Sequence, residues 1–284
     1  MDHNIIYRLL SFSITLGSMT SLFGEISSYL APIDLISLRH CSNRLKLEIS
    51  ENSVHKLFAT CLQEGLLPFH LKLKDFSNIL ERCDLFLSGS FLMHAMIRDF
   101  TGLGDIDLFA LPTRAPESFQ KDLIELYGYE ALTSGGLDCG FDRADPNHLL
   151  YPGERFRVQN FYNHLGQPDW EISKVLSVIV MKRVEMEPNE IVQEFDIDIV
   201  QLVMLSDLKC PFADLIDYNG TNIPVVLAHL LRRKFCVPSC AYKVTGTGKQ
   251  PSYPKDIKWR VNKYLKQKNF KLCNRCMSKN VSCV

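Results

Sequence analysis

Apolar positions between residues 20 and 80 recur at three- and four-residue intervals: Leu22, Ile26, Tyr29, Leu30, Ile33 and Leu38, with Pro32 interrupting the run. A helix gathers positions so spaced onto one stripe, which predicts helical structure. A second run, Asn52 to Gly65, puts Val54, Leu57, Phe58, Cys61 and Leu62 on a single face. The pattern changes at residue 83. "CDLFLS" is a short apolar run stopped by Gly89-Ser90, the signature of a buried strand that turns into a helix. "FLMHAMIRDF" has helical composition and is closed by Gly102 and Gly104; "DIDLFAL" is a strand ended by Pro112. "KDLIELYGY" predicts an amphipathic helix, and residues 134–151 a Gly/Asp/Pro loop. "KVLSVIVMKR" and "FDIDIVQLVML" predict two more strands, joined by a proline-initiated helical turn, "PNEIVQEF". Residues 205–284 read mostly as helix and loop.

This order predicts an α/β (α+β) protein, a mixed sheet flanked by helices with a small helical unit in front. We divide it into an extension (1–19), a helical segment (20–65), the sheet domain (66–235) and a C-terminal segment (236–284). With 46% hydrophobic and 23% charged residues, composition excludes fibrous and wholly disordered classes. Net charge is zero but unevenly placed: residues 229–284 hold fourteen Lys and Arg against one acid, Asp256, and the remainder is correspondingly acidic. A basic end fits a polyanion such as a triphosphate, a nucleic acid or an acidic protein, and equally a segment that only balances the acidic rest. Ten cysteines without dense regular spacing do not form a secreted disulfide scaffold. The apolar stretch Ile5–Phe23 is broken by Arg8, Thr15 and serines, so no membrane span is expected. The expectation is a cytoplasmic or nuclear protein, starting at Met1 or at Met19.

The candidate chemistry lies in "LSGSFLMHAMIRDFTGLGDIDLF". On a strand, Asp105 and Asp107 face the same way, about 7 Å apart at Cα. Two carboxylates so placed suit Mg²⁺ or Mn²⁺, hard cations that combine one or two carboxylates with phosphate oxygens. Gly89 and Ser90, at the start of the following helix, offer backbone N–H groups and a hydroxyl to phosphate. "FDIDIVQL" adds Asp196 and Asp198, expected on one face of a later strand, as further metal ligands.

Glycine-serine, helix, strand D-x-D and a later acid, in that order, resemble the nucleotidyltransferase superfamily of DNA polymerase beta and tRNA nucleotidyltransferases. Gly89, Ser90, Asp105 and Asp107 match its motif position by position. "PNEIVQEFDIDIVQ" and "RVNKYLKQKNF" are similar to segments of uncharacterised nucleotidyltransferase-like proteins of large DNA viruses, fungi and other eukaryotes. The spacing from Ser90 to Asp105 is slightly long, and Gln267-Lys268-Asn269 replaces the usual Arg-Gly stretch. The resemblance implies transfer of a nucleoside monophosphate from a nucleoside triphosphate to a hydroxyl of RNA, protein or a small molecule. Asp105, Asp107 and Asp196 would be the catalytic acids, with Asp198 a neighbour; Lys263 and Tyr264 would close over the nucleotide. The same fold without activity would serve as a scaffold.

"LFGEISSYLAPIDLISLRHCSNRL" resembles an F-box, with Phe23 where that motif usually has proline. This implies docking on a Skp1-type subunit of a ubiquitin ligase, the adaptor alternative to an enzyme. The plain alternative is a set of helices capping the sheet. Finally, Cys236 and Cys240 form a C-x3-C pair and Cys273 and Cys276 a C-x2-C pair, spacings that admit a structural Zn²⁺ or leave free thiols.

Overall fold

The computed structural model describes residues 29–41, 45, 49–110, 117–131, 156–162, 175–181, 187–193, 195, 197–211, 223–237, 260–267 and 269–273. The extension 1–19 and the loop expected over 134–151 lie outside them.

Two helices open the described chain, α1 (Pro32–Cys41) and α2 (Glu51–Leu66). Ser50 caps α2: its hydroxyl accepts the Ser53 N–H at 3.1 Å, supplying one of the partners a helix start lacks. Val54, Phe58, Cys61 and Leu62 are buried, as their spacing predicts. In α1, Ile33, Leu35, Ile36 and Leu38 are buried too, against α2, against α4 (Ser90–Ile97) and against α7 (Ile223–Leu231). Leu30, Leu35 and Leu38, which carry the F-box-like pattern, are thus consumed by the domain's own core. α1 and α2 pack on each other and both pack on α4.

Arg98 ties this layer together. It sits at the end of α4 with φ 49°, and its guanidinium grips Glu64 of α2 with Nη2–Oε1 at 2.6 Å and Nε–Oε2 at 3.0 Å. It also reaches the carbonyl of Leu30 at 3.3 Å, just before α1. A two-pronged guanidinium–carboxylate pair fixes direction as well as distance. Between the same helices a Cβ at Gly65 would lie 2.4 Å from Cε1 of Phe100. Gly65→Ala is therefore expected to cost about 1–3 kcal/mol by overpacking, seen as a lower Tm with unchanged circular dichroism.

The sheet has six strands in the order β3-β4-β5-β2-β1-β6: β1 (Leu85–Ser88), β2 (Asp105–Ala110), β3 (Glu130–Ala131), β4 (Phe156–Tyr162), β5 (Val175–Met181) and β6 (Val203–Met204). β2 runs parallel to β5 and antiparallel to β1, so the sheet is mixed as expected. α3 (Leu73–Arg82) packs against β1, and α5 (Glu117–Tyr127) against α3 and β3. On one face of the central strands, Ile106, Leu176 and Phe161 lie side by side on β2, β5 and β4 and are all buried.

One expected strand is replaced. The helical turn α6 (Pro188–Gln193) forms as its proline predicts, but "FDIDIVQLVML" is not a continuous strand. Residues Asp198–Val200 make a 3₁₀ turn, and only Val203–Met204 pair in the sheet. Asp198 is the physical reason. Its backbone N–H donates to the Cys236 carbonyl and its Oδ1 accepts the Cys236 N–H at 2.7 Å, drawing the backbone away from a ladder. The basic end contributes a small parallel pair, β7 (Lys234–Phe235) with β8 (Lys271–Leu272), and the π-helical segment Lys263–Gln267.

Candidate active site

Strand β1 ends at Ser88, and Gly89 then turns the chain into α4. Gly89 has φ 85° and ψ −155°, a region open essentially to glycine alone. The absence of a side chain matters as much as the turn. A Cβ there would sit 3.1 Å from Oδ2 of Asp107, so the start of α4 is pressed directly onto that carboxylate. Ser90 begins the helix, and its N-terminal end, with unpaired backbone N–H groups, therefore lies beside Asp107.

Asp105 and Asp107 are both half-buried on the same face of β2. Direct partners in adjacent strands share a face, so Ser88 (β1), Asp107 (β2), Ser177 (β5) and Asn160 (β4) form one polar row across four strands. Ser88 is fully buried and donates its hydroxyl to the Leu202 carbonyl at 2.6 Å. Oδ1 of Asn160 is buried with no hydrogen-bond partner among the described residues.

Burial and the neighbouring Asp105 push the Asp107 carboxyl up to about 7, while the charges of Arg260 and Lys263 pull it down. Two conclusions follow. The pair is electrostatically crowded, as expected of carboxylates arranged for a cation. Moreover, Arg260 and Lys263, some 150 positions away in sequence, come close enough to act on it. The donor set of two carboxylates fits a hard divalent cation such as Mg²⁺ or Mn²⁺.

The remaining predicted residues fall as follows. The charge of Lys263 acts on Asp107. Tyr264 points into a small core, with its ring 5.8 Å from Phe235 and 6.2 Å from Phe270. Asp198 does not share a strand face with the pair; it is buried, with Oδ2 2.5 Å from Nδ1 of His229. Asp196 lies outside the described residues, as do Cys240 and Cys276. The strand beside β2 carries Ser177, not an acid, opposite Asp107. Sequence reasoning missed Ser177, Asn160 and Ser88, and it placed Arg260 in a basic stretch suited to phosphate without linking it to Asp107. Ser177 was the single polar residue within "VLSVIV", a break in an apolar strand that could have drawn attention.

A mixed sheet with a carboxylate pair beside a glycine-led helix defines the class of site. No protein-family model matches the chain, and no curated protein matches it. It is similar to the solved structure of a tRNA-processing enzyme in an apo form, with TM-score 0.43 and 13% identity over 72% of this chain and 44% of that one. It is also similar to that of a tRNA-processing enzyme with CTP, with TM-score 0.41 and 13% identity over 71% of this chain and 44% of that one. The chain spans less than half the length of these structures.

Proposed function

We propose that the chain is a metal-dependent nucleotidyltransferase that binds a nucleoside triphosphate at Asp105 and Asp107 and transfers its nucleoside monophosphate to a hydroxyl. The observation that carries this reading is convergence on Asp107: the glycine-led start of α4 touches it, and Arg260 and Lys263 bear on it from the far end of the chain. Helix N–H groups and cations are what a triphosphate needs, and carboxylates are what its cation needs.

Each residue then has a task. Asp105 and Asp107 hold the cation, which when bound neutralises the crowded pair and polarises the phosphate oxygens. Gly89 lets the backbone approach the phosphates, and Ser90 adds its hydroxyl. Arg260 and Lys263 balance the charge of the triphosphate as pyrophosphate departs. Asp196, the third acid implied by the resemblance, accepts the proton of the acceptor hydroxyl. Tyr264 braces the segment that presents Lys263.

The test is equilibrium binding of each nucleoside triphosphate with and without Mg²⁺, followed by pyrophosphate release with RNA and protein acceptors. Mg²⁺-dependent binding supports the reading; binding indifferent to Mg²⁺ would sink it. Arg260→Gln with Lys263→Gln should weaken triphosphate binding about 10- to 100-fold and flatten its salt dependence, because two cations facing the phosphates are removed. An unchanged salt slope would show that these side chains face elsewhere.

A further inference from the structure

The hydrogen-bonded cluster of Asp198, His229 and Cys236 plays no part in that reading. His229 lies in the last turn of α7, Cys236 directly follows β7, and Cys273 directly follows β8. Because β7 and β8 are parallel and in register, with Phe235 opposite Leu272, the two cysteines emerge side by side, 5.5 Å apart at Cα and joined through their sulfurs. A ligand atom of His229 and both Sγ atoms lie within 4.8 Å of one another.

Asp198 organises this group. It is buried; Oδ2 sits 2.5 Å from Nδ1 of His229, and Oδ1 accepts the N–H of Cys236. A carboxylate on Nδ1 places the imidazole proton there and leaves the lone pair of Nε2 free. This is how a carboxylate orients a metal-binding histidine. Asp198 thus fixes a histidine and the backbone of a cysteine together, besides shaping its own turn.

We propose that, in the reduced chain, His229, Cys236 and Cys273 bind a zinc ion, with Asp198 as the positioning residue that orients His229. One nitrogen and two thiolates suit Zn²⁺, which favours tetrahedral nitrogen and sulfur ligands, and the fourth position takes water or a further thiolate. The pair of cysteines then has two states. Two molecules of a monothiol, leaving as their own disulfide, deliver two electrons and two protons and break the Cys236–Cys273 bond. Zinc binding releases those two protons as the thiolates coordinate. The site joins α7, the Asp198 turn and both strands of the β7–β8 pair, the elements that hold the basic segment in place.

The site differs from the expected set of four cysteines in taking one cysteine from each pair and a histidine that no spacing rule suggested. It is independent of the nucleotidyltransferase reading. The experiment is metal analysis of the full chain purified with a monothiol reductant, with thiol counting and replacement of zinc by Co²⁺. One zinc per chain, and Co²⁺ spectra with thiolate charge-transfer and tetrahedral bands, are expected. Cys273→Ser and His229→Ala should each lose the metal, and Asp198→Asn, which conserves shape, should weaken zinc about 10- to 100-fold while keeping native circular dichroism. Asp105→Asn with Asp107→Asn should leave zinc unchanged. A reduced, folded chain without metal would overturn the proposal, and so would zinc retained in both Cys273→Ser and His229→Ala.

Discussion

Replacing Asp107 with asparagine is expected to abolish Mg²⁺-dependent triphosphate binding and, at the same time, to make the metal-free protein more stable. The two effects share a cause. Burial and Asp105 raise the Asp107 carboxyl from 3.8 to about 7, so the folded state prefers it protonated. A carboxyl raised in this way contributes stability below pH 4, which is lost as pH rises through 7. Above that, the fold carries two like charges on one strand face. The full shift is worth roughly 4 kcal/mol, of which water at the half-exposed pair screens a large part. A gain of about 1–2 kcal/mol for Asp107→Asn at pH 8 is the reasonable expectation, or roughly 3–6 °C in Tm, shrinking to nothing near pH 4. Wild-type protein should recover a similar gain when Mg²⁺ is added at pH 8, and Asp107→Asn should not. Turnover with the variant should fall at least about 1,000-fold, as when a group that stabilises the transition state is removed. Thermal denaturation at pH 4, 6 and 8, with and without Mg²⁺, measures all of this. A variant less stable than the wild type at pH 8 would show that the pair is structural.

Gly89→Ala is the second decisive change, and its expected result is opposite in sign. At φ 85° and ψ −155° an alanine is strained by about 1–3 kcal/mol whatever surrounds it. Its methyl would also press on Oδ2 of Asp107 at 3.1 Å. The chain must then lose stability, move the carboxylate, or both. We expect a lower Tm and at least tenfold weaker Mg²⁺-dependent binding, whereas Asp107→Asn loses the binding and gains stability. Chemical denaturation and calorimetric titration separate the two patterns. Normal Mg²⁺ affinity in Gly89→Ala would mean that the start of α4 does not shape the site.

The sequence exposed the parts of this design that depend on neighbours along the chain. The stripe Val54, Phe58, Cys61 and Leu62 marked α2, and the apolar run before Gly89 marked β1, because helix and strand periods are local. Asp105 and Asp107 were visible because alternation alone puts them on one face. Strand β4 was missed since Asn160 breaks the alternation of "FRVQNFY", and its polarity makes sense only beside Ser177 and Asp107. The same holds for Arg260, whose approach to Asp107 no local pattern encodes. The strand expected through Asp198 failed for the converse reason: a side chain satisfied by a residue 38 positions away outweighed the β propensity of its neighbours.

The parallel pairing of β2 with β5 also shapes how the molecule is made. β1 and β2 can pair as soon as both have left the ribosome, but the opposite edge of β2 waits for Val175 and its successors, some sixty-five positions after Ala110. At about 5–20 residues per second, this leaves an unpaired edge for roughly 3–13 s on each nascent chain. An apolar strand exposed for so long invites pairing with the neighbouring chain on a polysome, and charge on the strand is the usual protection. Asp105 and Asp107 would guard that edge during synthesis, before there is any fold for them to serve.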